Sequence, residues 1–186
     1  MLKLESRLAL PDWISAEIDH DQVCIDDDSK MALAIKLAAR NVESGTGGPF
    51  GAAIFDARHR LLAVGVNRVV PAASSVAHAE MMAYLLAQAR TGRARLNEEQ
   101  RGIVLATSAQ PCCMCYGATF WAGIDTLLIG ASAADVMELT GFDEGPLPSD
   151  WRGELERRGI TVREGIGRAA ARDVLARYTR GGGINY

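Results

Sequence analysis

Two short stretches decide how this chain is read: His78-Ala79-Glu80 and, further along, Pro111-Cys112-Cys113-Met114-Cys115. Each opens a segment with helical character. From His78 to Arg90 the apolar residues Met81, Met82, Leu85, Leu86 and Ala89 recur at helical spacing and predict a buried stripe. From Cys112 to Ala122 a second helix is expected, closed by Gly123. Pro111 suits the first turn of that helix, where a missing N–H leaves nothing unsatisfied.

Cys112 and Cys115 are three apart, so both thiols project from one face of the helix start. Free N–H groups and the helix dipole favour the thiolate there. Two such thiolates and an imidazole suit zinc, and three protein ligands leave the fourth position open, as in catalytic rather than structural sites. His78 is the expected third ligand. Residues two apart on a helix point about 200° from each other, so His78 and Glu80 share a pocket only at a first turn. Two helix N-termini are therefore expected to converge on one Zn2+. Glu80 is then placed to take a proton from zinc-bound water and pass it to a leaving amine. Cys113 is an alternative ligand, but spacing and Pro111 favour the Cys112/Cys115 pair, and Cys113 reads as packing. A non-catalytic, zinc-stabilised binding module is the alternative of another class.

The rest of the chain reads outward from these stretches. Residues 1–28 are weakly patterned and acidic, and are expected to form an arm, with His20 solvated and Cys24 as buried filler. Ser29 is expected to cap a helix running to about Glu43, stopped by Gly45-Thr46-Gly47-Gly48-Pro49. Phe50–Phe55 and Leu61–Val66 predict a β-hairpin with His59 exposed in its turn. Residues 67–77 read as a loop and 91–101 as a polar surface excursion. Strands are expected over Ile103–Thr107, Ile124–Gly130 and Ile160–Arg163. Helices are expected from Ser132, with Asp135 completing a capping box, around 149–158, and over 167–179. Gly141-Phe142-Asp143-Glu144-Gly145-Pro146 can only be a loop, and the Gly-rich tail is flexible unless Tyr186 docks.

This order predicts an α/β fold: one domain over 29–186, a three-layer α/β/α sandwich around a mixed sheet of about five strands. The 186 residues suit a single core, and 48% hydrophobic with 23% charged residues is ordinary for a globular protein. No signal-peptide core and no run of ~18 apolar residues is present, so a cytoplasmic location is the default expectation. Net charge is −3, which gives no general attraction to nucleic acid. Residues 152–180 carry a local surplus of four positive charges, with eight Arg against Glu154, Glu156, Glu164 and Asp173.

The pattern His-x-Glu followed by Pro-Cys-x-x-Cys is the zinc deaminase signature. With Gly47-Gly48-Pro49-Phe50-Gly51, Asn67, Trp121 and the Gly141–Pro146 loop, the chain resembles the cytidine deaminase-like superfamily, on its guanine deaminase branch. That resemblance implies homodimers and zinc-dependent hydrolytic deamination of a free nucleobase. Guanine to xanthine is the first expectation, with the triazine ammeline a further substrate. It also implies that Asn67 hydrogen-bonds the base and that Phe50 and Trp121 wall the ring. Asp143 or Glu144 would bind the base or shuttle a second proton, and Ala79 would line the pocket; Tyr186, at a Gly-rich end, is expected to fold over a pocket, its own or a neighbour's. Gln110 departs from the family's usual Glu. A tRNA adenosine deaminase, or a deaminase of another small ring such as cytosine, is the alternative within the class.

Overall fold

A computed structural model describes Leu2 and residues 4–186. Of the N-terminal arm, Met1 and Lys3 lie outside the described residues. A five-stranded sheet runs in the order β2-β1-β3-β4-β5. Its strands are β1 Gly51–Phe55, β2 Leu61–Val66, β3 Val104–Ala109, β4 Thr126–Ala131 and β5 Thr161–Arg163. β1 pairs antiparallel with β2 and β3, whereas β3, β4 and β5 run parallel, so the expected mixed sheet is observed.

Strand residues alternate between two cores, as the period of a pleated strand requires. Ala52, Ile54, Leu105, Leu127 and Ile129 face one layer, made by α4 (Ala79–Thr91), α5 (Cys113–Ala122) and α7 (Trp151–Arg157). Ala53, Phe55, Ala106 and Leu128 face the other, where α2 (Asp27–Glu43) lies with α8 (Arg168–Arg180) beside it. α6 (Ala133–Thr140) packs on α8 around Val136, Ala171 and Leu175. The short helices α1 (Trp13–Glu17) and α3 (Val69–Ala72) complete the set among the described residues.

The position of α4 fixes the site. A Cβ on Gly65 of β2 would lie 1.9 Å from the Ala79 carbonyl oxygen, so only glycine lets the first turn of α4 press onto the sheet. The buried residues of α4 are Ala79, Glu80, Met82, Ala83, Tyr84 and Ala87. The expected stripe is therefore rotated: Leu85 is 46% exposed and Ala89 is exposed. The small residues Ala79 and Ala83 bury where α4 presses on β2 at Gly65, while Met82 and Tyr84 bury beside that contact.

Other boundaries also move. α2 begins at Asp27, and the cap is Asp26, whose carboxylate accepts from the Ser29 N–H; Ser29 stands inside the first turn. The 67–77 segment contains α3. The 91–101 excursion is not wholly surface, because Leu96 is buried and its N–H donates to the Ala122 carbonyl. His59 is half-buried rather than exposed. The arm folds back on the body: Ile14 and Ile18 join the α2-side core, and Val23 bridges Arg60 at the hairpin end. None of the helices of the described residues is long and apolar enough to cross a membrane.

Candidate metal centre and pocket

β3 runs out at Ala109 and delivers Gln110-Pro111-Cys112, with Cys112 the N-cap of α5. His78 is the N-cap of α4. The two helix starts meet, and the ligand atoms of His78, Cys112 and Cys115 all lie within 4.8 Å of one another. His78 Nδ1 is 3.4 Å from Cys112 Sγ. A tetrahedral zinc with bonds of about 2.0–2.3 Å requires its donors roughly 3.3–3.8 Å apart. The donor set therefore fits zinc in chemistry, and the His78–Cys112 separation falls in that range.

The electrostatics of the trio point the same way. A hydrogen bond from the Cys115 thiol, working against burial, brings Cys112 down to about 4, and His78 helps. Cys115 is pushed up, because it is the donor in that pair and is deeply buried. Burial alone would lower the pKa of His78, but its hydrogen bond to Cys112 and the charges of Glu80 and Cys112 hold it above the usual value. One negative charge is thus already gathered here, and a dication offsets both it and the second thiolate.

Glu80 lies in the first turn of α4 and is buried. Thr107 Oγ1 on β3 donates to its Oε1 at 3.3 Å. Burial, then the nearby Cys112 charge, raises its carboxyl above the ordinary range. Glu80 is thus a buried carboxyl inside the site, not a surface carboxylate.

A cavity of about 290 Å³ opens in front of these groups. Phe50, Asn67, Ala79, Asp143, Glu144 and Tyr186 line it together with His78, Glu80 and Cys112. Burial, helped by the charges of Cys112 and Glu80, lifts Glu144 to about 8. The Cys113 N–H holds the Glu144 carbonyl at 2.9 Å, which ties the 141–146 loop to the metal-binding helix. Asp143 is exposed, and its Oδ1 accepts from the Gly145 N–H. The tail docks on its own chain: Tyr178 Oη donates to the Ile184 carbonyl, Asn185 Nδ2 donates to that of Thr140, and Tyr186 packs on Phe142 at 4.8 Å.

One expected pocket residue lies elsewhere. Trp121 is 73% exposed beside Tyr116 and Phe120 on the outer face of α5. It follows Cys112 by nine residues, or about 180° around a helix, so it cannot face the site from that helix. Cys113, expected as packing, is exposed at the cavity rim. Ser75, Gln110, Met114 and Phe142 line the cavity without having been singled out for it. Phe142 had a signal, as the one aromatic in the carboxylate loop. Gln110 has a structural duty, since its Oε1 accepts from the Ala133 N–H at the start of α6.

Comparison with known proteins agrees with this geometry. The family described as the cytidine and deoxycytidylate deaminase zinc-binding region matches residues 25–131. The guanine deaminase of Bacillus subtilis (strain 168) is 37% identical over 130 residues, which cover 70% of this chain and 80% of that protein. A solved guanine deaminase from Nitrosomonas europaea superposes with a TM-score of 0.90 at 38% identity, covering 97% of this chain and 99% of the other. A structure with 2,6-diaminopurine bound superposes with a TM-score of 0.89 at 40% identity, covering 97% and 95%. A protein whose helix starts assemble His78, Cys112 and Cys115 beside Glu80, and whose zinc-binding region matches in this way, belongs to the cytidine and deoxycytidylate deaminase zinc-binding family, on its guanine deaminase side, and is a zinc-dependent aminohydrolase.

Proposed function

We propose that the substrate is guanine, hydrolysed to xanthine and ammonia. The observation that carries this reading is that Asn67 and Glu144 line the same cavity as His78, Cys112 and Glu80. Guanine presents its N1–H and 2-amino hydrogens as donors, and an amide oxygen and carboxylates are the matching acceptors. Phe50 supplies an apolar wall, held in place by Phe142 at 5.5 Å between ring centres. The likeness to proteins described as guanine deaminases supports the same choice.

His78 and the thiolates of Cys112 and Cys115 would hold zinc, which would supply Lewis acidity toward a water molecule. Glu80 accepts a proton from the water that adds to the amino-bearing carbon. It then returns a proton to the amino nitrogen, the carbon–nitrogen bond breaks, and ammonia leaves as the carbonyl forms. Thr107 keeps the Glu80 carboxylate oriented between these two transfers. Glu144, in the same cavity, is the carboxylate placed to take the hydroxyl's remaining proton and pass it to the ring nitrogen next to the attacked carbon, so that water's two protons end on ammonia and on xanthine. Tyr186 and Phe142 close the outer side and limit water.

The outer face of α5, with Trp121, Phe120 and Tyr116, is the surface proposed to pair with a second copy in a homodimer. The tRNA reading finds no comparable support, because all eight Arg between 152 and 180 are paired with acids. An assay of xanthine and ammonia from guanine, run beside adenine, cytosine, ammeline and adenosine, tests the substrate. Preference for guanine by at least tenfold in kcat/KM is expected. Turnover of another ring with none of guanine would overturn the proposal.

A further inference from the structure

The N-terminal arm reaches the substrate wall through an unbroken line of hydrogen bonds. Trp13 Nε1 of α1 donates to Thr46 Oγ1 at 3.1 Å. Thr46 Oγ1 donates to Asn41 Oδ1 at 2.8 Å. Asn41 Nδ2 then donates both its hydrogens, one to the Gly48 carbonyl and one to the Asn67 carbonyl, each at 2.9 Å. Asn41 is wholly buried, so its amide orientation is forced: turned over, its oxygen would face two carbonyl oxygens. The Thr46 hydroxyl also lies 3.3 Å from the Asn41 backbone carbonyl, so both its acceptors belong to Asn41.

From this line we infer that Asn41 is a positioning residue for the pocket, and that the arm acts through it on substrate binding. The inference rests on the proposed guanine reaction. Asn41 ties together the two backbone segments that carry one wall of the cavity, 47–50 and 67–69. Asn67 reaches the cavity from the second, with its Oδ1 fixed by the Val69 N–H at 3.2 Å. Phe50 reaches it from the first, and the Asn67 N–H donates to the Phe50 carbonyl at 3.1 Å. The seam has no slack, because a Cβ on Gly47 would lie 1.9 Å from the Asn67 carbonyl oxygen and 2.7 Å from Asn41 Nδ2. α1 is itself fastened to α2 by the Glu17–Arg40 ion pair, with the Arg40 guanidinium over the Trp13 ring. None of these groups touches the zinc ligands, so loosening the line should weaken binding and leave the chemical step alone.

The test compares Thr46→Val, which removes the hydroxyl at nearly constant volume, with Thr46→Ser, which keeps it. Trp13→Phe and Asn41→Asp cut the line at its two ends, and Val162→Ala on β5 is a control for general loss of stability. For guanine, KM is expected to rise about tenfold in Asn41→Asp and about threefold to fivefold in Thr46→Val and Trp13→Phe. Values of kcat should stay within about twofold, and Thr46→Ser should behave as wild type. Amide exchange at residues 45–50 and 67–70 should quicken by about tenfold in Thr46→Val but not in Val162→Ala. This second readout needs no turnover, so an inactive wild type would count against guanine as substrate and leave the inference open to the exchange result. If Thr46→Val and Trp13→Phe leave both KM and local exchange unchanged, or if Val162→Ala raises KM as much, the inference fails; this holds even if Asn41→Asp does not fold.

Discussion

β3–α5 and β4–α6 are the same construction side by side: a parallel strand, a short connection, and a helix that starts at the sheet's carboxyl edge. They use the helix start in opposite ways. At α6, Ser132 and Asp135 form a reciprocal capping box, and Asp135 also receives Arg168 and Arg172 from α8. At α5 the N-cap is Cys112, with no side-chain oxygen over the free N–H groups. α4 likewise begins at His78 without a side-chain cap. The first arrangement satisfies the helix end and fastens it to the body. The second leaves two helix ends with their positive poles toward the His78, Cys112 and Cys115 cluster. A helix start can serve stability or chemistry, and this sheet edge holds one of each.

The sharpest way to break the contrast is Cys112→Ser. Zinc content by metal analysis should fall well below one per chain, with deamination lost. Next is Glu80→Gln, expected to keep full zinc and lower kcat by about 10³-fold. An active Glu80→Gln would sink the proton-carrier role. Asp135→Asn should cost about 2 kcal/mol by denaturant titration while leaving kcat unchanged. Its pH dependence has a definite sign. The hydrogen bonds from Arg168 and Ser132 hold the Asp135 carboxyl well below its ordinary value. The stabilisation it gives is therefore present above that ordinary value, near 3.8, and is lost as pH falls below it. Wild type should consequently lose more stability between pH 5 and pH 3 than Asp135→Asn does. The smallest effect is expected from Ser132→Ala, about 1 kcal/mol, again without change in kcat. A fall in kcat in either α6 variant would show that the two helix starts are not separable.

The zinc ligands and Glu80 were legible because their chemistry depends on spacing along the chain. Two cysteines three apart at a helix start share a face, and a histidine and glutamate two apart share a pocket only at a first turn. The capping box at Ser132 and Asp135 was legible for the same reason. Trp121 was misplaced because a motif gives order along the chain and says nothing of which way the helix is turned. The buried stripe of α4 was misread because hydrophobicity suggested Met81 and Leu85, while the close approach at Gly65 selected Ala79 and Ala83.

The sequence by itself determined the local elements, the donor set and the reaction it suits, since each follows from residue type and short-range periodicity. Only the tertiary structure decided what closes the pocket. Tyr186 meets Phe142, Glu144 is tied to Cys113, and Trp13 acts on Asn67 through Thr46 and Asn41. These partners lie far apart in the chain, and no local propensity encodes their meeting. The packing of two helix layers on one twisted sheet brings them together.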